Sequence, residues 1–449
     1  MRKSFLRTFR KTVNASVDNV TKVLSFREWT APFEWILDRD ASAFDANNQR
    51  GFIVSPEIAQ QLLIESIEVE ELPGEEGHTM NIEWKRTQES PIDQIPLTVP
   101  IKIPNRSVIT VRPHEVEQDM CEDLCKRISG SSEPRPLLKG LRGKNQVPWT
   151  SSSLVCSENQ SAPRETIVKC NRAASPGGVL DAGVKRSLVE SIEKYGFAVA
   201  EDASLSQVYP DGAAPKTVQC RFEAAEAIIT DVFSILRNSH YGAMSTWSDG
   251  NSWKEVNTAA SPPVEPTTSR FEGSEAHQDG AYQSTRLDLH TDCTYFVDCP
   301  KLQAFGCILT TPSTFGGEST LSDGAAAAMA LQASHPSFFD ILTRVPVGGR
   351  YQKEGRWYES HRPVISLTPC GSFIERITFN NSDRIPMGLG MSASQLREFY
   401  KAYFTFHELI HRQAIRFLLK PGQLLFFDNL RTLHGRLEFG GPRVMCGGM

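Results

Sequence analysis

Leu289-His290-Thr291-Asp292-Cys293-Thr294-Tyr295-Phe296 is the stretch on which the fold turns. In an extended segment, residues i and i+2 project to the same face. His290 and Asp292 therefore present an imidazole and a carboxylate to one point. A lone His-x-Asp arises often by chance. It gains weight from a second run, Phe426-Phe427-Asp428-Asn429-Leu430-Arg431-Thr432-Leu433-His434-Gly435-Arg436, which carries another imidazole at the end of an apolar, strand-sized segment. Two imidazoles and one carboxylate suit non-haem Fe(II) and leave coordination positions open on one face. The carboxylate offsets cationic charge, while neutral imidazoles fill their sites without adding anions. The open positions would take a bidentate 2-oxo acid and then dioxygen. The far carboxylate of such an acid needs a cation, and Arg443 is the candidate, because a guanidinium meets a carboxylate with two parallel hydrogen bonds. A hydroxyl from Ser319 or Thr320, after Gly316-Gly317, could share that carboxylate.

The rest of the 449 residues is consistent with a large catalytic domain and a smaller companion. Hydrophobic residues make up 40% and charged residues 22%, and the net charge of −5 provides no basic field for nucleic acid. The longest apolar run, Ala325 to Leu331, is far short of the ~20 residues of a membrane span. The ten cysteines follow no disulfide framework. Cys121 and Cys125 have no second pair at finger spacing, and residues 51–112 contain no cysteine, so structural zinc finds no support.

Residues 1–27 carry Arg2, Lys3, Arg7, Arg10, Lys11, Lys22 and Arg27 against a single acid, Asp18, among many hydroxyls. This pattern matches a mitochondrial presequence as well as a frayed basic tail, leaving mitochondrial and cytoplasmic locations open. Residues 50–120 alternate at Ile67–Glu70, Ile101–Ile103 and Val108–Val111, which predicts a small β-rich domain. Residues 121–180 read as a loop-rich linker, residues 248–278 as a polar insertion, and residues 181–449 as the main domain. Within it, Val184, Leu188, Ile192 and Tyr195 mark a helix stopped by Gly196, and Phe222, Ala225, Ile229, Phe233 and Leu236 mark another. Ser392 with Gln395 forms a capping box for a third helix, along whose stripe His407 falls. Short strands are expected at 302–309, 373–379 and 424–427. Short strands with peripheral helices, and no Gly-rich phosphate loop, point to a β-barrel or jelly roll with helical buttresses.

Taken in order, Tyr195-Gly196-Phe197, His240-Tyr241-Gly242, Asp279-Gly280-Ala281-Tyr282, the His290 segment, Leu302-Gln303, Gly316-Gly317-Glu318-Ser319, Asn380-Asn381-Ser382-Asp383-Arg384 and the His434 run resemble the TauD/TfdA-type Fe(II)/2-oxoglutarate dioxygenases. Within that family they are most similar to the carnitine-pathway branch, which holds the γ-butyrobetaine and trimethyllysine dioxygenases. The resemblance implies a double-stranded β-helix core, mainly β with flanking helices. It implies iron on His290, Asp292 and His434, 2-oxoglutarate on Arg443 and Ser319, dioxygen as co-substrate and ascorbate as reductant. For the N-terminal module it implies a role in forming a homodimer.

The resemblance also implies a small quaternary ammonium substrate, attracted by aromatic faces rather than hydrogen bonds. Tyr241, Tyr282 and Tyr295 stand at the cage positions. Ser245 stands where the branch usually has an aromatic, and Trp247 could replace it. Asp279, at a place where butyrobetaine enzymes carry an amide, could pair with an α-ammonium and would repel a carboxylate. Asn381 or Arg384 could hold the α-carboxylate. These features favour hydroxylation of Nε-trimethyllysine at C3, with γ-butyrobetaine or another small molecule as alternative. The chain ends 15 residues after His434, earlier than the family usually does. That motivates a non-enzyme alternative, an idle metal-binding or interaction protein.

Overall fold

The computed structural model describes residues 15–27, 29–44, 50–72, 77–86, 105–111, 138, 146–149, 154, 161–170, 180–202, 215–238, 243–248, 283–353, 355–388 and 390–449. The chain divides into two compact units, Met1–Glu133 with Arg384–Phe404, and Pro134–Asp383 with Thr405–Met449.

In the first unit, β1 (Ala15–Asp18), β2 (Val23–Phe26) and β3 (Trp29–Pro32) form an antiparallel sheet. Leu24 and Phe26 are buried in it, so residues 15–27 belong to the folded sheet rather than to a basic tail. Residues 1–14 lie outside the described residues. α1 (Phe33–Arg39) and α2 (Pro56–Gln61) follow, the latter capped by the Ser55 hydroxyl, which accepts from the Ile58 amide. A second antiparallel sheet holds β4 (Leu62–Glu71), β5 (His78–Arg86) and β6 (Arg106–Val111). Its period-2 pattern buries Met80, Ile82, Trp84, Ile109 and Val111.

This unit also encloses charge. Asp38 on α1 is fully buried between Arg384 and Arg50. The Arg384 guanidinium takes both carboxylate oxygens, Arg50 Nη1 lies 3.0 Å from Oδ1, and the Tyr400 hydroxyl donates to Oδ2 at 2.9 Å. Burial alone would raise the Asp38 pKa, but the two guanidiniums and these hydrogen bonds hold it down at about 2.

In the second unit the larger sheet comprises β7 (Ile167–Cys170), β8 (Phe197–Asp202), β9 (Met244–Ser248), β11 (Leu302–Thr310), β19 (Gln423–Asp428) and β22 (Arg443–Gly448), in the order β7-β8-β19-β11-β22-β9. The smaller sheet comprises β10 (Leu287–His290), β13 (Ser319–Asp323), β18 (Ile415–Phe417) and β20 (Thr432–Arg436), in the order β10-β20-β13-β18. Two-stranded ribbons pair β12 (Phe315–Gly316) with β21 (Phe439–Gly440), β14 (Pro346–Lys353) with β15 (Arg356–Pro363), and β16 (Ile365–Leu367) with β17 (Ile374–Ile377). Among the described residues its α-helices are α3 (Ala182–Tyr195), α4 (Pro215–Phe233), α5 (Gly324–Ser334) and α6 (Pro336–Arg344), with the part of α7 (Ala393–Arg412) from Thr405 onward.

The run Leu424–Phe427 is continuously apolar because both faces of β19 are covered. Leu425 and Phe427 pack with Phe197, Val199, Cys307 and Met445 against Leu321 and Phe417 of the smaller sheet. Leu424 and Phe426 pack with Ala198, Ala304, Ile308 and Val444 against Leu188 and Ile192 of α3 and Phe222, Ala225 and Ile229 of α4. The unit is thus two packed sheets with helices on the outer face of the larger one.

Two predicted helix ends hold, whereas the second predicted helix stops at Phe233, short of Leu236. α3 ends at Gly196, whose φ of 82° only glycine adopts at little cost. The Ser392 amide donates to Gln395 Oε1 at 2.9 Å and the Gln395 amide donates to Ser392 Oγ at 3.3 Å, a reciprocal capping box. One feature was not expected, a parallel pairing of β7 with β8 around α3. Most of 121–180 and all of 249–278 lie outside the described residues, and among those described no helix is long and apolar enough to cross a membrane.

Candidate metal centre

His290 closes β10, an edge strand, and its Cα lies opposite that of His434 on β20. Thr291 is sewn away from the site: its amide donates to the Phe379 carbonyl at 2.7 Å, and its hydroxyl accepts from the Phe379 amide at 3.0 Å. Alternation then sends His290 and Asp292 to the other side. Cys293, next in the chain, has a φ of 57°, a strained value for a residue with a side chain, of the kind that clusters at functional sites. Asn429 fixes the backbone of Asp292 from the β19–β20 turn, accepting from its amide at 2.9 Å and donating to its carbonyl at 3.2 Å. Arg431 anchors the same turn through Asp323, at 2.8 Å, with both side chains buried.

The three donors converge, each within 4.8 Å of the others. His290 Nε2 lies 3.2 Å from Asp292 Oδ1, and His434 Nε2 lies 3.5 Å from Asp292 Oδ2. Ligand atoms ~2.1 Å from one ion and about a right angle apart would be separated by roughly 3 Å, so the set fits a single divalent cation. His290 Nδ1 lies 2.7 Å from the Asp288 carbonyl and donates its proton there, which leaves Nε2 as the nitrogen that would give up its proton to a metal ion. Nδ1 of His434 is buried with no hydrogen-bond partner among the described residues. Burial alone would raise the Asp292 pKa, but the charge of His434 and the hydrogen bond and charge of His290 outweigh it and hold Asp292 as a carboxylate far below its usual range. Burial would lower His290, yet the hydrogen bond and charge of Asp292 raise it to about 9. Burial and the His290 charge push His434 down to about 3. Phe305 and Phe427 close over the His434 ring, with centroids 5.3 and 4.8 Å away.

Arg443 shares its face of β22 with Met445, which points into the core between the sheets, so its buried guanidinium faces the same interior. Among the described residues it forms no ion pair. Burial lowers its pKa, and it packs over Phe439 at 5.5 Å. Gly317 makes room for it: a Cβ there would sit 2.6 Å from Arg443 Nη1, and its φ of 76° disfavours other residues. Ser319, on the face of β13 that carries Leu321, points inward as well. Arg436 is engaged elsewhere, donating to the carbonyls of Gln283 and Thr285.

The substrate-side residues fare differently. Tyr241, Tyr282 and Asp279 lie outside the described residues, as does the Trp247 side chain. Tyr295 is buried in a group of rings with Phe296, Tyr351 and Tyr358, centroids 4.9, 5.2 and 6.3 Å away. The last two come from the β14–β15 ribbon, which no motif in the sequence pointed to. Asn381 is buried in the turn after Phe379. Arg384 is corrected: its guanidinium is committed to Asp38 in the first unit and does not serve the α-carboxylate role expected of it. Asn429 was also missed, although it sits inside the quoted His434 run.

A family model described as "Taurine catabolism dioxygenase TauD, TfdA family" matches residues 228–449. The chain is 36% identical over 174 residues to trimethyllysine dioxygenase of Meyerozyma guilliermondii, covering 38% of this chain and 43% of that one. It is 34% identical over 175 residues to the mitochondrial trimethyllysine dioxygenase of Rattus norvegicus, covering 38% and 41%. It is 34% identical over 161 residues to γ-butyrobetaine dioxygenase of Pseudomonas sp., covering 35% and 41%. The matched region spans less than half the length of each of these relatives. Residues 228–449, where a His-x-Asp pair from one strand end meets a histidine of the neighbouring strand, are thus similar to the TauD/TfdA family.

Proposed function

We propose that the chain is an Fe(II)- and 2-oxoglutarate-dependent dioxygenase with a double-stranded β-helix core, acting at C3 of Nε-trimethyllysine. The observation that carries this reading is the convergence of His290, Asp292 and His434, together with a buried Arg443 that forms no ion pair among the described residues. His290 and His434 would hold iron through neutral imidazoles and Asp292 through its carboxylate. Bound there, ferrous iron would supply the dioxygen chemistry, with 2-oxoglutarate as the co-oxidised acid. Arg443 meets the acid's distal carboxylate, with Ser319 beside it. Asn429 keeps Asp292 aimed, and Phe305 and Phe427 keep water from the His434 side of the site. Tyr241, Tyr282 and Tyr295 offer ring faces to the trimethylammonium group, Asp279 pairs with the α-ammonium and Asn381 meets the α-carboxylate.

γ-Butyrobetaine is the second reading, supported by the identity to the Pseudomonas relative. The name of the rat relative supports a mitochondrial location. Anaerobic addition of Fe(II) and 2-oxoglutarate should produce a weak visible charge-transfer band. Succinate release with trimethyllysine and γ-butyrobetaine side by side separates the two substrates. A flat spectrum at saturating ligand would instead support an idle protein.

A further inference from the structure

A second group of metal-type donors lies on the far side of β10. On α7, His407-Glu408-Leu409-Ile410-His411 places two histidines one helical turn apart on one face. Asp288 faces them from β10: its Oδ2 lies 2.9 Å from His407 Nε2, and its Oδ1 lies 2.9 Å from His411 Nε2. The two rings approach to 4.3 Å between centroids, and the three donors all lie within 4.8 Å of one another. His407 is completely buried. All three residues belong to the second unit.

The strand makes this arrangement by irregularity. In β10, Leu287 pairs with Arg436 and His290 with His434, so three steps on one strand match two on the other. Plain alternation would turn Asp288 and His290 to the same side. The extra residue re-aims Asp288 toward α7 while His290 keeps facing the interior.

We propose that Asp288, His407 and His411 bind a second divalent metal ion, of the zinc class. A His-Glu-x-x-His segment is a weak signal in a sequence, because chance produces it. Its confirming context is a helix that sets both imidazoles on one face, with a third ligand opposite. Both are present here. One carboxylate and two imidazoles at these separations suit tetrahedral zinc, with a second carboxylate oxygen or a water completing the shell. The site holds a metal rather than hydrolysing a substrate. His407 is sealed from solvent, and Glu408, the residue a hydrolase would use as base, pairs at 3.7 Å with Arg412 on the half-exposed side of α7. Arg286 lies 3.6 Å from Asp288 Oδ1 and supplies part of the positive charge that the ion would bring. The site touches the first centre through the Asp288 carbonyl, which faces His290 Nδ1. Its metal binding does not depend on the proposed reaction.

The test counts metal rather than turnover. Chelator-treated full-length protein is loaded with Zn(II) or Co(II), dialysed and analysed by mass spectrometry of the metal, with visible spectra for Co(II). The wild type should hold two equivalents, His407→Gln/His411→Gln one, and Asp292→Ala/His434→Ala one. The intense band of low-coordinate Co(II) should persist in the second variant and vanish in the first. A single equivalent in the wild type overturns the proposal. So does an Asp292→Ala/His434→Ala variant that binds no metal, a result that needs no substitution in α7. Arg286→Gln should tighten Zn(II) binding by about tenfold; unchanged affinity would remove Arg286 as a competitor and count against the geometry. Loss of the second ion with retention of the iron and 2-oxoglutarate band would separate this site from the proposed enzyme centre.

Discussion

Asn429 holds Asp292 by both backbone polar groups, accepting from its amide and donating to its carbonyl, across 137 residues of chain. One side-chain amide thereby fixes the orientation of a proposed ligand without touching its carboxylate. Outer partners of this kind typically carry 10- to 100-fold in metal affinity. Asn429→Ala should weaken Fe(II) binding by about that factor. Titration with Fe(II) under anaerobic conditions measures it, and unaltered affinity in a folded variant would show that Asp292 is held by other means.

Arg443 should govern the 2-oxo acid. A lost charge-assisted pair is worth about 1.5–3 kcal/mol, so Arg443→Ala should raise the 2-oxoglutarate requirement roughly 10- to 100-fold. Gly317→Ala should shift it the same way, because the new methyl would collide with Nη1. Equilibrium binding of 2-oxoglutarate to the Fe(II) protein distinguishes this from a general loss of folding. An unchanged requirement in Arg443→Ala would move the role elsewhere.

Asp279→Asn should weaken trimethyllysine turnover far more than 2-oxoglutarate binding, since the proposed partner of Asp279 is the α-ammonium of the amino acid. Steady-state succinate release at varied substrate and co-substrate reads both. Equal loss of the two would assign Asp279 a structural part only.

Asp38 should make the first unit acid-sensitive. Its folded pKa of about 2 lies below the ordinary ~3.9 of an unfolded aspartate, so the unfolded chain binds the proton more tightly. The resulting stability, about 2 kcal/mol, is fully present above pH ~4 and fades as pH falls through 2. Asp38→Asn leaves Arg50 and Arg384 buried without their counter-ion and should cost ~3–5 kcal/mol. Thermal denaturation at pH 7 and pH 3 tests both statements. An identical acid response in wild type and variant would exclude Asp38 as the source.

The metal-type triad was legible in the sequence because it rests on local rules. His290 and Asp292 are i and i+2 around a threonine, and His434 follows an apolar strand. The helix ends at Gly196 and at Ser392 were legible for the same reason. Long-range choices were not. Nothing near Arg384 announces that its guanidinium goes to Asp38, 346 residues away. Tyr351 and Tyr358 carry no motif, and His407 reads as one more member of an apolar stripe until Asp288 is seen opposite it. The basic character of residues 1–27 also hid the β pattern that buries Leu24 and Phe26.

The surplus residue between Leu287 and His290 makes this strand sensitive to length more than to composition. Exchanging a side chain there alters one partner. Deleting a single codon while keeping both pairings would restore simple pleating and leave one residue between Leu287 and His290; where that residue is not acidic, α7 loses its acidic neighbour. Relatives that differ by one residue at this point would thus be sorted into chains with one cation-binding face and chains with two.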